Sequence, residues 1–268
     1  MPKAERISSA ANPLLKDVRR AMVRGGLTSE GLCVAESFHL LEEALRSDCA
    51  VKTVLAAESV LSAAEAHVRR LPGVRVMVMP DALFQRVSGT ENSQGVTALV
   101  QPPEWKLEQL FRGCPLVVVL DGLQDPGNAG AIVRAGEAFG ATGVLFLKGS
   151  VSPYNPKTLR ASAGSLFRLP FLHGVDAALA RAALQQNSVA LYAGVPARPR
   201  TPSRPLADVD LAARCAVIIG NEARGVSGAL RSAAQDVSIP TVGVESLNAA
   251  VAAGILLYEA RRQRALRQ

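Results

Sequence analysis

One stretch of the chain, residues 121–140, constrains the fold more than any other. It reads DGLQDPGNAGAIVRAGEAFG and lies between two short apolar runs, Leu116 to Leu120 and Gly143 to Leu147. A run of consecutive apolar residues bounded by turn formers predicts a fully buried strand, as in parallel sheets. The loop after the first run is rich in Asp, Pro, Gly and Asn, and helical spacing begins at Ala129 and stops at Gly140. The sequence therefore predicts strand, polar loop, helix and strand, the repeating unit of an α/β protein.

Two polar side chains of this stretch are candidates for function, Asn128 in the loop and Arg134 on the helix. In open parallel sheets, ligands bind outside the carboxyl ends of the strands, where loops of this kind gather. Each residue also has a purely structural interpretation. Asn128 can be a turn or helix-cap residue, and Arg134 can pair at the surface with Glu137, one turn further on. The stretch alone leaves both interpretations open.

The composition favours a globular protein with a polyanionic partner. The 268 residues are 49% hydrophobic, enough for one large or two smaller domains, and they carry a formal net charge of +7. That charge favours nucleic acid as the partner. Aromatic residues, at 4%, are too few for an RNA-stacking sheet. Any RNA contact should therefore rest on Arg and Lys at phosphates, and on shape.

Further sequence signals bear on location and on metals. No apolar run reaches the roughly 18 residues of a membrane span, and the amino-terminal segment MPKAERISSAANPLLKD has no apolar signal core. We therefore expect a cytoplasmic protein with no membrane partner. The four cysteines and three histidines are scattered without metal-ligand spacing, so we expect no metal.

The first hundred residues alternate helix and strand signals and predict a compact unit of their own. Pro13 to Val23 predicts a basic helix with Lys16, Arg19 and Arg20 on it, which is either a solvated face or an RNA contact. The run QPPEWKLEQLFRGCP at 101–115 breaks the alternation with two consecutive prolines. We predict a small α/β substrate-binding domain over 1–100, a linker over 101–114 and a catalytic domain over 115–268.

A further buried strand runs into a polar loop at residues 215–227, CAVIIGNEARGVS. The apolar run ends at Ile219 and is followed by Gly220, Asn221 and Glu222. A carboxylate in this place is either part of a site at the end of the sheet or the cap of the next helix.

The last segment, VSIPTVGVESLNAAVAAGILL at 237–257, predicts a short strand, a loop and a helix that starts near Ser246. Leu247 to Leu257 is apolar or small on nearly every side, apart from Asn248. A helix of this kind is expected to be buried all round, against its own sheet and against a second subunit.

Three of these segments, taken in order, resemble a known family. They are DPGNAGAIVRAGEAFGA at 125–141, IIGNEARGVS at 218–227 and SIPTVGVESLNAAVAAGI at 238–255. Their order and spacing closely resemble the three motifs of the SpoU (TrmH-type) family of RNA ribose methyltransferases, in the SPOUT superfamily. PKTLRASAGSLFRLP at 156–170 is similar to that family too. Residues 1–100 resemble more loosely the small substrate-binding domain that many members carry in front, with Ser37 at a position where that domain often has glycine.

The resemblance implies an α/β fold, in which a parallel-sheet SPOUT domain with a deep trefoil knot follows the small substrate-binding domain. It also implies a homodimer that uses S-adenosylmethionine to methylate a ribose 2′-hydroxyl of ribosomal or transfer RNA, without a metal. The two-domain layout favours large-subunit ribosomal RNA. The positions that match the family's motifs are Gly220, Ile239 and Leu247 for the cofactor and Asn128, Arg134, Glu222, Ser246 and Asn248 for catalysis.

Arg134 matches the residue that this family assigns to the 2′-hydroxyl, either as base or as electrostatic positioner. A guanidinium is hard to deprotonate, so we favour the positioning role. Asn128 and Glu222 are then expected to orient Arg134 and the ribose.

Two other classes of protein are weighed against this one. A nucleotide-binding oxidoreductase or an ordinary Rossmann methyltransferase needs a Gly-x-Gly-x-x-Gly turn, a spacing that GNAGAIVRAG does not supply. A non-catalytic RNA-binding protein would keep the basic first domain but lose Arg134 or Asn248. Binding of S-adenosylmethionine separates that class from the enzyme.

Overall fold

The computed structural model describes residues 4–47, 49–89, 92–197 and 203–267. The chain divides into two compact units, one formed by Met1–Glu104 with Tyr154–Arg168 and the other by Trp105–Pro153 with Leu169–Gln268. This partition differs from the sequence-based domains over 101–114, which it divides between the two units, and over 154–168. As a functional division, the sequence-based domains stay a prediction.

The helices and strands follow one another along the chain in the alternation that the sequence predicts. In the first hundred residues they are β1 (Glu5–Arg6), α1 (Pro13–Arg24), β2 (Cys33–Glu36), α2 (Phe38–Arg46), β3 (Val51–Ala57), α3 (Leu61–Val68), β4 (Arg75–Met79), α4 (Asp81–Val87) and β5 (Val96–Val100). The rest are β6 (Leu116–Asp121), α5 (Pro126–Ala138), β7 (Gly143–Leu147), α6 (Pro156–Ser162), β8 (Phe171–Val175), α7 (Ala177–Gln186), β9 (Ala190–Val195), β10 (Arg204–Pro205), β11 (Cys215–Gly220), α8 (Gly228–Arg231), β12 (Gln235–Ser238) and α9 (Ala249–Ala265). The sequence reading missed β8 and the two-residue edge strands β1 and β10.

The first unit is built on a five-stranded mixed sheet in the order β1-β4-β3-β5-β2. β5 runs antiparallel to both of its neighbours, and the other pairs are parallel. Helix α1 begins after Asn12, whose side chain accepts a hydrogen bond from the backbone of Leu14, and it ends at Gly25 in the left-handed conformation. Because Leu15 and Val18 point into the core, the basic residues of α1 face solvent.

The second unit is built on a seven-stranded sheet in the order β10-β12-β9-β11-β6-β7-β8, in which every pair of neighbours is parallel. The apolar runs of β6 and β11 lie side by side at its centre and are buried. The predicted parallel sheet is therefore confirmed. Gly220 at the end of β11 pairs with Asp121 at the end of β6, so the loops that follow these two strands leave the sheet together.

The segment Tyr154–Arg168 folds with the first unit, although sequence reasoning placed it in the catalytic half. Arg160 forms an ion pair with Glu36, and Arg168 forms one with Glu43. The two carboxylate side chains are only 4% and 11% exposed. Gly164, with φ +89°, allows the close approach, since a Cβ there would lie 2.5 Å from that of Glu43. Contacts distant in sequence decide where this segment packs.

The predicted linker covers residues 101–114, and its part from Trp105 onward belongs to the second unit. Leu107–Phe111 forms a short 3₁₀ helix, and its Leu110 is fully buried in the core of that unit. The hydroxyl of Thr142 donates to the carbonyl oxygen of Leu110, which fixes the 3₁₀ helix beside β7.

In a single chain, helix α9 is buried on one face only, and its predicted burial against a second subunit stays a prediction. Leu256 and Leu257 lie in the core of their own chain, whereas Val251, Ile255 and Tyr258 are 51%, 36% and 56% exposed. The helix therefore has one face on the sheet and one apolar face in solvent. Within the described residues, no helix is long and apolar enough to cross a membrane.

Candidate active site

The first loop of the site is fixed by the cap of helix α5. The Asp125 carboxylate accepts a hydrogen bond from the backbone N–H of Asn128 at 2.7 Å, so the helix begins at Pro126 and not at Ala129 as predicted. Asp125 is thus the capping residue. The side chain of Asn128, in the first turn, is left for another partner, and its interpretation as the cap is wrong.

That partner is Asn248, which caps helix α9. The side-chain oxygen of Asn248 accepts hydrogen bonds from the backbone N–H groups of Ala250 and Val251. The side-chain nitrogen of Asn248, Nδ2, donates a hydrogen bond to Oδ1 of Asn128 at 3.0 Å. Because the oxygen is held by the helix, the amide nitrogen must face Asn128. The first and third sequence motifs are joined by this one hydrogen bond.

Glu222 holds the first loop from the side of β11. Its two carboxylate oxygens accept from the backbone N–H groups of Gln124 at 3.3 Å and Asp125 at 3.4 Å. A carboxylate used in this way stabilises the loop conformation that presents Asn128. Glu222 therefore contacts the loop backbone rather than Arg134.

Asn221, which the sequence reading passed over, shapes the second loop. Its Oδ1 accepts from the backbones of Ala223 and Arg224, and its Nδ2 donates to the carbonyl of Gly122 at 2.8 Å. The sequence does carry a signal for this role, because the side chain of an asparagine in a turn often accepts hydrogen bonds from backbone N–H groups a few residues further on.

Two glycines let the second loop fold back on itself. Gly225 has φ +70°, and it exchanges backbone hydrogen bonds with Asn221. A Cβ on Gly220 would lie 2.3 Å from the carbonyl carbon of Gly225, so only glycine fits there.

Asp121 is another residue beside these loops to which sequence reasoning gave no role. Its carboxylate is buried and accepts a hydrogen bond from the backbone of Ser227 at 2.6 Å. It ties the end of β6 to the entry of α8.

These loops enclose a cavity of about 660 Å³, a size in the range of small-molecule sites. Its apolar walls come from residues such as Ile219 and Leu256. The predicted site residues that line it are Asn128, Gly220, Glu222, Ile239, Ser246, Leu247 and Asn248. A shallower cavity of about 480 Å³ adjoins it. The residues that border both cavities are Asn128, Glu222 and Asn248.

Arg134 is the predicted site residue that a single chain does not bring to either cavity. It lies on the exposed side of α5. Among the described residues it has no hydrogen-bond or ion-pair partner, so the surface pair with Glu137 is not formed. Its expected orientation by Asn128 and Glu222 is not found either, because those side chains contact Asn248 and the loop backbone. In the described part of the chain, no group of three or more His, Cys, Asp or Glu residues is placed to hold a metal ion.

The comparison with protein families agrees with this geometry. Residues 115–258 match the SpoU rRNA Methylase family, and residues 12–98 match the MRM3-like substrate binding domain. Over 264 residues, the chain is 31% identical to the 23S rRNA (guanosine(2553)-2'-O)-methyltransferase RlmP of Bacillus subtilis, with 96% of this chain and 99% of RlmP covered. Over 206 residues, it is 35% identical to the 23S rRNA (guanosine-2'-O-)-methyltransferase RlmB of Xylella fastidiosa, with 74% and 81% covered.

Solved structures show the same likeness over nearly the whole chain. The SpoU methyltransferase AviRb from Streptomyces viridochromogenes superposes with a TM-score of 0.83 at 27% identity, covering 96% of this chain and 99% of AviRb. AviRb in complex with the cofactor AdoMet superposes with a TM-score of 0.81, covering 95% of this chain and 100% of AviRb, at 26% identity.

The fold and the family match are those of a SPOUT-type RNA methyltransferase. The chain belongs to the SpoU rRNA methylase family. The predicted family, enzyme class and α/β fold with a parallel catalytic sheet are confirmed, and the deep trefoil knot stays a prediction.

Proposed function

We propose that the enzyme transfers a methyl group from S-adenosylmethionine to a ribose 2′-hydroxyl of large-subunit ribosomal RNA. The observation that carries the proposal is the hydrogen bond between Asn248 and Asn128 at the border of two adjoining cavities. A two-substrate transfer needs such a border, because the methyl donor and the acceptor must meet there in line. The names of the relatives from Bacillus subtilis and Xylella fastidiosa support the choice of RNA.

The larger cavity fits S-adenosylmethionine. It combines apolar side chains, Ile239 and Leu247 among them, with the exposed backbone of the loop after Gly220. Apolar walls and backbone polar groups are what an adenosine needs for stacking and for hydrogen bonds. When bound, this cofactor supplies an electrophilic methyl group on a sulfonium. The chain's own contribution is to hold it there and to exclude water.

The shallower cavity is where we place the acceptor ribose. Gln124, Asp125 and Pro126 of the first loop line it. The Asn128 amide, whose oxygen already accepts from Asn248, keeps its nitrogen as a donor for a ribose oxygen. Glu222 acts by holding the loop, and the exposed Ser246 offers a hydroxyl from the cofactor side.

Arg134 is assigned to the 2′-hydroxyl, or to the phosphate beside it. Its guanidinium has no competing partner among the described residues, so it is available to a bound RNA. Because a guanidinium stays protonated, it positions and stabilises the oxygen that attacks rather than removing its proton. Its planar fork can bond to a hydroxyl and a phosphate together.

The first unit supplies RNA affinity through helix α1. Lys16, Arg19 and Arg24 are exposed and have no ion-pair partner in the described part of the chain, whereas Arg20 lies 3.7 Å from Asp17. Unpaired cations on one helix attract phosphates without reading sequence. We place the protein in the cytoplasm, where its proposed substrate is assembled into ribosomes.

A homodimer is part of the proposal. The exposed apolar face of α9, formed by Val251, Ile255 and Tyr258, supports it, since apolar faces of this kind mark sites of association. Helix α5, which carries Arg134, packs against α9, so an association through α9 would involve the neighbourhood of that arginine.

Single-turnover transfer of labelled methyl to ribosomal RNA, with mapping of the modified nucleotide, tests the function. We expect 23S rRNA from a deletion strain complemented with this gene to carry one 2′-O-methylated nucleotide that is unmethylated in the uncomplemented strain. A product only in transfer RNA would contradict the substrate. Binding of S-adenosylmethionine without any transfer would contradict the enzyme class.

A further inference from the structure

The charged side chains that line the larger cavity fall into two groups. Those lining it within the described residues are Glu222, Arg224, Arg231 and Glu245. Glu222 is engaged by two backbone N–H groups, and Arg231 is engaged by an ion pair with Asp236. Arg224 and Glu245 have no side-chain partner in the described part of the chain, and they are not paired with each other.

Local hydrogen bonds hold the backbone of Arg224 and that of Val244, the residue before Glu245. The N–H of Arg224 donates to the side chain of Asn221 at 3.0 Å. Next to Glu245, the Thr241 hydroxyl donates to the carbonyl of Val244 at 2.9 Å. One cation and one anion are therefore presented to the same cavity from two different loops, with their charged ends unused.

The methionine part of S-adenosylmethionine has the complementary charges. Its amino-acid end carries a carboxylate and an ammonium on one carbon, and a cation and an anion that line the same cavity are complementary to it. A guanidinium pairs with a carboxylate in a two-point geometry, and a carboxylate accepts from an ammonium. Glu222 and Arg231 already bind other groups of the chain, so Arg224 and Glu245 are the charged side chains available to the ligand.

We infer that Arg224 binds the carboxylate and Glu245 the ammonium of the cofactor's amino-acid end. This inference rests on the proposed cofactor. It assigns two residues that the motif resemblance did not select, and it gives the charged end of the ligand a place apart from the apolar walls at Ile239 and Leu247.

Calorimetric binding of two ligands that differ only at this end provides the test. S-adenosylhomocysteine keeps the amino-acid end, 5′-methylthioadenosine lacks it, and both have a neutral sulfur. We expect Arg224→Gln and Glu245→Gln each to weaken binding of S-adenosylhomocysteine about tenfold, the size of one lost charge-assisted hydrogen bond. Affinity for methylthioadenosine should be unchanged, which also shows that the adenosine site of each variant is folded.

A third ligand, decarboxylated S-adenosylmethionine, separates the two roles. Decarboxylated S-adenosylmethionine keeps the ammonium, so Arg224→Gln should no longer matter for it, whereas Glu245→Gln should still weaken it. Arg112→Gln and Glu108→Gln remove the same charges from exposed positions of the same unit outside the cavity, and we expect wild-type affinities.

The outcomes separate the inference from the proposed function. Equal losses for both neutral ligands, no loss for either, or a loss matched by the control variants overturns the inference while the cofactor stands. If the wild-type chain binds neither S-adenosylmethionine nor S-adenosylhomocysteine, the proposed cofactor fails, and the inference fails with it.

Discussion

The side-chain amide of Asn248 donates to that of Asn128 at 3.0 Å, across 120 positions of the sequence. Asn248 is at the same time the cap of helix α9, and Asn128 lies in the first turn of α5. The two helices that pack together in the second unit thus begin at a shared polar contact. The roles of cap and contact can be separated by mutation.

Asn248→Ser should keep the helix but lose the contact. Serine caps about as well as asparagine but is too short to reach Asn128. We expect stability within about 0.5 kcal/mol of wild type and a large loss of methyl transfer. Asn248→Ala should lose both and cost about 1 kcal/mol of stability. Chemical unfolding measures the stability of both variants, and single-turnover transfer measures their activity. Full activity of the serine variant would show that the contact is only structural.

Arg134→Ala should abolish transfer and leave the fold intact. Arg134 has no side-chain partner among the described residues, and alanine suits an exposed helix position. Stability should therefore change by less than about 0.5 kcal/mol. Arg134→Lys should also transfer methyl groups poorly, because an ammonium lacks the planar fork of donors that a guanidinium has.

Calorimetry with S-adenosylmethionine is the control for Arg134, since cofactor affinity should be unchanged in both variants. Near-wild-type transfer by the alanine variant would refute the positioning role.

Breaking the buried pair of Glu36 and Arg160 should destabilise the first unit. The Glu36 carboxylate also accepts from the Ser88 hydroxyl and from the backbone of Gly89. Arg160→Met leaves this buried carboxylate without its cation, at a cost of about 3 kcal/mol. Urea unfolding of the single and double variants gives the coupling energy of the pair.

The exposed pair of Glu5 and Arg75 in the same unit is the matched control, because both of its side chains are more than half exposed. Arg75→Met should change stability little. A loss as large as that for Arg160→Met would mean that burial is not the cause.

The two histidines His67 and His173 should give opposite dependences of stability on pH. Hydrogen bonds to the carbonyl of Ala63 and then to Glu42 raise the pKa of His67, whereas partial desolvation lowers the pKa of His173, a residue that still has an exposed surface. The His67 contribution is present at low pH and is lost as pH rises through its raised pKa. That of His173 is present at higher pH and is lost as pH falls through its lowered pKa.

Urea unfolding of His67→Gln and His173→Gln, from about pH 5 to about pH 8, checks these signs. Relative to wild type, His67→Gln should be weakest at the acid end and recover as pH rises. His173→Gln should lose less stability than wild type on acidification. The same trend in both variants would contradict the assignment.

Ile255→Glu should give a monomer that still binds the cofactor. The side chain lies on the exposed apolar face of α9, so a charge there is tolerated in one chain but not in a dimer contact. Sedimentation at micromolar protein measures the change. Ala265→Glu, at the polar end of the same helix, should remain dimeric, and Leu256→Glu should unfold because Leu256 is in the core. A monomeric wild type would end the proposal.

The sequence by itself determined the local pieces of this protein. The apolar runs of β6, β7 and β11 predicted buried strands because short runs of consecutive apolar residues bounded by turn formers are typical of strands buried on both faces of a sheet. The polar residues after these strands, Asn128 and Glu222 among them, identified the loops of the site. Motif spacing then selected residues that line one cavity.

Only the tertiary structure decided which side chains meet. It placed Tyr154–Arg168 in the first unit through ion pairs with Glu36 and Glu43, and it gave α9 an exposed face. In the folded chain, Glu222 holds a loop, and Arg134 lies outside both cavities of a single chain. Local patterns act over a few residues, whereas these contacts join positions about a hundred or more apart. Such contacts form only when the chain folds as a whole, because burial of apolar surface must offset the loss of conformational entropy on bringing distant residues together.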